Sequence, residues 1–304
     1  MDKYTIEQLN DQFAIDEGAH QLRFINGKGD IPIVEIENKQ AAASISLQGA
    51  HLLSWIPAGE GDVIWLSDQA RYAMGQSIRG GIPICWPWFG AHETNTAYPA
   101  HGFARTCYWQ VDSTKALSSG ETEVTFKLDT RTIGDRQAMW PWATCAEYRL
   151  VIGKDLTLEL TTINNSEQVI NLGQALHTYF NVGDIQNTGI YGLEDKTYLD
   201  KTDHFKPKNQ QGPISVDKEV DRVYLQTADD VIIDNKKRKI RITKQGSQST
   251  VVWNPWKTVA EKMGDLGVDG YLKMLCVESA NAAEDIVSIQ PGERHTLLVR
   301  YLLE

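Results

Sequence analysis

Residues Ser77–Arg105 read SIRGGIPICWPWFGAHETNTAYPAHGFAR. Pro83 and Pro87 flank Ile84-Cys85-Trp86. Proline lacks an N–H and clashes with the preceding turn, so this is no helix interior. Arg79-Gly80-Gly81 lets the backbone bend or approach a neighbour closely. The stretch is therefore a long ordered loop. It carries Arg79 and Arg105, the imidazoles of His92 and His101, and the aromatic block Trp86, Trp88 and Phe89. Loops of this length inside compact domains usually serve function. Two readings are open at this point. One is a buried aromatic plug with two arginines in surface ion pairs. The other is a sugar pocket, in which flat rings meet C–H faces while Arg and His meet hydroxyls or a phosphate. The planar arginine fork suits phosphate.

On either side of this loop the chain has the period of strands. Ile31–Ile36, Ala43–Leu47 and His51–Ile56 are three short apolar runs, the last two joined around the turn signal Gln48-Gly49. Val124, Phe126 and Leu128 alternate with polar residues, as do Tyr148, Leu150 and Ile152. Gly153-Lys154-Asp155 turns the chain into Leu156, Leu158 and Leu160, the clearest hairpin. Further strands are predicted over Val169–Leu176, Glu219–Leu225, Thr250–Trp253, Leu272–Val277 and His295–Leu303. Arg131–Trp142 interrupts the alternation and, with Trp140 and Trp142, is a candidate lining for the same cleft. Asn235–Lys239 reads as a solvated basic hairpin tip. Helical spacing is confined to Thr5–Glu17 and Thr258–Met263. Many short strands with frequent turns predict an all-β protein, one large antiparallel β-sandwich. Residues 1–304 are expected to form a single domain, with residues 1–20 a helical lead-in.

The 304 residues are 41% hydrophobic and 23% charged, ordinary for a globular chain. A formal charge of −10 disfavours nucleic-acid binding and leaves any anionic substrate to a local basic patch, for which Arg79 and Arg105 are candidates. No run approaches the roughly 20 apolar residues of a membrane span. The start, MDKYTIEQLN, lacks the basic and apolar regions of a signal peptide. A cytoplasmic protein is expected, with no membrane partner. Cys85, Cys107, Cys145 and Cys276 are widely scattered and read as reduced, buried thiols rather than metal ligands. No nucleotide-binding glycine motif is present, so no cofactor and no metal are expected.

Two other groups stand at strand ends. His177 closes Ala175-Leu176-His177, and Glu278 follows Leu275-Cys276-Val277. Taken singly, a lone strand histidine is more often structural, while Glu278 is as readily a strand-end surface group as a placed base.

The run IRGGIPICWPWFG, followed by HGFAR, resembles the aldose 1-epimerase (mutarotase) superfamily, in particular its branch acting on hexose 6-phosphates. The resemblance implies a wide β-sandwich with its active site in a cleft on the concave face. It also implies roles. His177 in ALHTYF matches the general acid, and Glu278 in LCVESAN the general base. Asp221 in EVDRVYL resembles the aspartate that contacts sugar hydroxyls. His101 in HGFAR matches the second histidine, which orients the sugar, and Arg79 and Arg105 match the arginines of the phosphate branch. Ala100 departs from the pattern, standing where relatives often carry Gln. Interconverting anomers needs a base for the C1 hydroxyl and an acid for the ring oxygen, and no cofactor. The expected partner is a small sugar phosphate, handled by a monomer with one complete site. Three other readings are a mutarotase for unphosphorylated aldoses, a non-catalytic carbohydrate-binding β-sandwich, and a glycoside hydrolase or lyase pairing Asp221 with Glu278.

Overall fold

Alternating burial along Thr122–Asp129 and Thr144–Ile152 sends one face of each strand inward. The computed structural model, which describes residues 4–304, pairs these strands antiparallel with each other and with Leu156–Asn164. The hairpin read from the sequence has Ile152 opposite Leu156 and Leu150 opposite Leu158. It belongs to a nine-stranded antiparallel sheet in which Arg294–Leu303 lies between Leu156–Asn164 and Lys239–Gln245. A second large sheet has eight strands, seven of them on its main path. Its order is Lys206–Asn209, Thr197–Asp200, Val220–Tyr224, Ser249–Asn254, Met274–Asn281, Gln174–Leu176, Ile84–Cys85, and Tyr179–Asn181 also pairs with Met274–Asn281. A five-stranded meander runs through Ile15–Glu17, His20–Asn26, Pro32–Glu37, Ala41–Ser46 and His51–Pro57. One buried apolar cluster includes side chains from these three large sheets, among them Trp55, Leu158, Val277 and Val299. Phe180 of the eight-stranded sheet meets Tyr301 of the nine-stranded sheet at 5.0 Å, edge to face.

Met274–Asn281 is buried along its whole length. Leu275 and Val277 enter the main core, while Met274 and Cys276 join a second cluster with Trp65 and Tyr179 on the other face. A strand covered on both faces reads as a continuous apolar run, which is why Glu278 looked terminal. It is instead an interior strand residue, paired with Val251.

The opening stretch divides between its two readings. Ile84–Cys85 pairs with Ala175 and Leu176 at the sheet edge. Trp86 is fully buried, edge-on to Phe103 at 5.7 Å, and donates to Thr162 Oγ1 at 3.0 Å. Trp88 stays half-exposed with His92 and Tyr98. The two glycine positions have steric causes. A Cβ on Gly81 would come 2.4 Å from His51 Nε2, and one on Gly102 within 2.0 Å of the Trp86 carbonyl oxygen, both at positive φ.

Three expectations change. The helix spans only Ile6–Phe13, started by a Thr5–Gln8 capping box; Ile15–Glu17 turns back as a strand against His20–Asn26. Residues 1–3 of the expected lead-in lie outside the described residues. Arg131–Trp142 forms short 3-10 turns, and Trp140 packs on Trp86 at 6.3 Å rather than lining the cleft. In the basic tip, Arg238 folds inward and donates to the carbonyls of Gly61, Asp62 and Asn181. Among the described residues no helix is long and apolar enough to cross a membrane.

Candidate active site

Strand register brings the site together. Leu176 faces Ser279 and Tyr179 faces Cys276, so His177 stands across from Glu278 on the same antiparallel path. Side chains alternate between faces, and that of Glu278 opposes the core-facing Val277 and Ser279. On the neighbouring strands the same face carries Val251 and Trp253, and Asp221 pairs with Trp253. Tyr198 faces Tyr224 and Asp200 faces Arg222; one step further puts Lys201 beside Asp221. The result is a cleft of about 280 Å³ lined by Arg79, His101, Arg105, His177, Asp221 and Glu278. All six residues picked from the sequence therefore meet in one place. Phe89, Tyr179, Lys201, Trp253 and Met263 also line it. A larger hollow of about 760 Å³ between Trp65, Leu266 and Tyr271 contains none of the six.

His177 Nε2 lies 3.4 Å from Glu278 Oε1, with His177 9% and Glu278 1% exposed. Burial raises the Glu278 carboxyl well above the ordinary carboxylate range, opposed by Lys201 and reinforced by Asp221. Burial likewise holds the His177 imidazole well below its usual value, helped by His101, Arg105 and Arg79. Burial thus disfavours the charged forms of both partners. His101 has the left-handed backbone, φ 66°, and its Nδ1 accepts from the Gly90 N–H at 3.3 Å, which leaves the proton on Nε2. Burial lowers its pKa to about 3, with Arg105, Lys201 and Arg79 adding to the shift, so it is neutral.

Lys201 Nζ binds Asp221 Oδ2 at 2.8 Å, and burial raises the Asp221 carboxyl against that pull. Arg79 donates from Nε to Asp265 Oδ1 and from Nη1 to the Tyr179 hydroxyl, both at 3.0 Å. Burial opposes its charge, but Tyr179 and Asp265 outweigh it and the guanidinium stays protonated. Arg105 makes one bond, Nη2 to the Ala100 carbonyl oxygen at 2.9 Å. Ala100 thus contributes a backbone acceptor where its side chain offers none. Within the cleft, three buried polar atoms make no hydrogen bond to the described residues: His177 Nδ1, Asp221 Oδ1 and Glu278 Oε2. Buried polar atoms are normally satisfied, so these point to ligand or water contacts. Among the described residues no three His, Cys, Asp or Glu side chains gather to hold a metal.

Sequence reading missed Lys201, Tyr179 and Trp253. Trp253 belonged to a strand already recognised and Tyr179 follows another, and only the long-range register shows which face they share with Glu278. Lys201 lies in the turn TYLDKTDHF, where no local pattern marks it.

Sequence comparison agrees with this geometry. The family described as aldose 1-epimerase matches residues 32–302. A protein of Escherichia coli (strain K12) named "Putative glucose-6-phosphate 1-epimerase" is 37% identical over 260 residues, covering 84% of this chain and 85% of its own. A protein of the same name from Salmonella typhimurium is 36% identical over 256 residues, 83% of this chain and 84% of its own. The crystal structure titled as a "putative mutarotase" from Salmonella typhimurium superposes with a TM-score of 0.85 at 30% identity, covering 99% of each chain. With a family match over residues 32–302 and relatives at 36–37% identity over most of their length, the chain belongs to the aldose 1-epimerase family and is an isomerase of that kind.

Proposed function

We propose that the protein interconverts the α and β anomers of a hexose 6-phosphate. The observation that carries the reading is one cleft uniting the buried His177–Glu278 pair with the cations Arg79, Arg105 and Lys201. The names of the relatives support the same substrate. Glu278 as carboxylate takes the proton from the C1 hydroxyl. The oxygen lone pair forms the C1 carbonyl, the C1–O5 bond breaks, and O5 takes the proton of the His177 imidazolium. Rotation about C1–C2 and reclosure with the roles reversed give the other anomer. Asp221 and His101 hold ring hydroxyls, and Arg105, with the open edge of Arg79, holds the phosphate. Burial strengthens both partners, since a raised carboxyl is a stronger base and a depressed imidazolium a stronger acid.

One buried apolar core running through three sheets supports a single domain. All the lining side chains come from one chain, which supports action as a monomer. Four unpaired cysteines suit a reducing compartment such as the cytoplasm.

The test is anomer exchange by two-dimensional proton exchange spectroscopy on glucose 6-phosphate, glucose and galactose. Acceleration is expected for the phosphate, with Arg105→Ala losing the preference through a KM raised about tenfold or more. A second reading, a mutarotase for unphosphorylated aldoses, draws on the Arg79–Asp265 pair, which already occupies part of one guanidinium. Equal acceleration of free sugars would select it.

A further inference from the structure

A functional imidazole is commonly fixed by a hydrogen bond from its second ring nitrogen. His177 lacks one, because Nδ1 is buried without a partner while Nε2 faces Glu278. What surrounds the ring is aromatic. Tyr179 lies parallel to it, with centroids 5.0 Å apart and planes 9° apart. Trp65 stacks on Tyr179 at 5.9 Å and 23°. Trp253 meets His177 and Tyr179 edge-on at 5.8 and 5.9 Å. Tyr179 is itself held twice: its backbone pairs with Cys276, and its hydroxyl accepts from Arg79 Nη1.

We propose that Tyr179 is a positioning residue, which orients the His177 imidazole by stacking and links it through its hydroxyl to whatever Arg79 binds. The link to Arg79 rests on the hexose-phosphate reading; the stacking does not, and applies to any aldose turned over. A parallel ring restricts rotation of the imidazole about its last torsion. The π face also attracts the imidazolium more than the neutral form. Small misplacements of an acid are costly in rate. An anion at Arg79 pulls on the guanidinium that fixes Tyr179, so binding at the far end of the substrate reaches the proton donor.

Two variants separate these contributions. Tyr179→Phe keeps the ring and removes the tether; Tyr179→Leu removes the ring. On the exchanged sugar, Tyr179→Leu is expected to lower kcat about 10–100-fold with little change in KM. Tyr179→Phe is expected to recover most of that loss. A kcat for Tyr179→Leu within twofold of wild type, or equal losses in both variants, overturns the stacking role. Proton NMR of the ligand-free wild type, with His177 assigned by comparison with His177→Asn, decides the matter if Tyr179→Leu does not fold. Stacking shifts the His177 ring protons upfield, and resonances at the unfolded-chain position overturn the proposal. The tether is read by adding inorganic phosphate: the His177 signals move in wild type and not in Tyr179→Phe. Equal movement in both overturns the tether. If wild type exchanges free sugars but not glucose 6-phosphate, the substrate reading fails while the kcat and ring-proton tests of stacking stand.

Discussion

At Glu278 a carboxyl group occupies a strand interior where ionisation is penalised and Oε2 finds no protein partner. Its folded pKa is raised, so the folded state holds the proton more tightly than the unfolded chain. Stability from this group is therefore complete below the unfolded value near 4.3 and is lost as pH rises through the raised folded value. Glu278→Gln removes that loss. The variant is expected to lose exchange activity by about 100-fold or more while gaining roughly 1–3 kcal/mol of stability at neutral pH. Paired urea denaturations at pH 4 and pH 8 check it: the gain must be larger at pH 8. A gain that does not grow with pH would mean that Glu278 is ionised and well solvated in the fold. The six residues legible at this scale were legible because local motifs surround them. HGFAR and ALHTYF are short, unusual strings, whereas Lys201 sits in an ordinary polar turn and its importance comes only from facing Asp221.

Between residue and molecule, the loop–strand–loop of Ser77–Arg105 shows how backbone demands shape a site. Trp86 N–H donates to the His101 carbonyl, and both Phe103 and Ala104 donate to the Trp86 carbonyl, so the two ends of the loop are tied together. Gly102 is where they cross, at φ 69°. Gly102→Ala is expected to destabilise the protein by roughly 2–4 kcal/mol, through positive-φ strain and a displaced Trp86 carbonyl. It should lower activity as well, because His101 is the adjacent residue. Chemical denaturation with unchanged m-value checks the first part, and exchange rates check the second. The hairpin through Gly153 was readable because its residues alternate and its two strands adjoin in sequence. The N-terminal hairpin was not: Ile6, Leu9 and Phe13 extend a helical period towards Glu17, and nothing local shows that Ile15–Glu17 gains a partner in His20–Asn26. Where burial is complete on both faces, as in Met274–Asn281, period carries no information about which side a residue faces.

On the scale of the whole molecule, the sandwich class followed from many short strands and scarce helices, but the packing of one sheet on the other did not. The face of the eight-stranded sheet turned away from that core carries the buried floor on which His177 and Glu278 meet. It also sets the pH behaviour of the enzyme. In the proposed mechanism catalysis needs one proton on the pair. The acid limb reports the second proton taken up by the pair, which leaves no base, and the alkaline limb reports loss of the last, which leaves no acid. A bell-shaped kcat profile is expected, read by exchange spectroscopy across about pH 4–10; a rate that only rises with pH would remove His177 as the acid. Arg79 and Arg105 help depress His177, so a phosphate that neutralises them should shift the acid limb upward in the complex.

The edge-on contact of Trp253 with the His177 ring, at 5.8 Å, gives the protein a built-in optical probe. An imidazolium quenches indole emission by accepting an electron from the excited ring, while neutral imidazole does so far less. The fluorescence difference between wild type and Trp253→Phe should therefore follow the proton on His177, with no label and no substrate colour, as sugar enters the cleft.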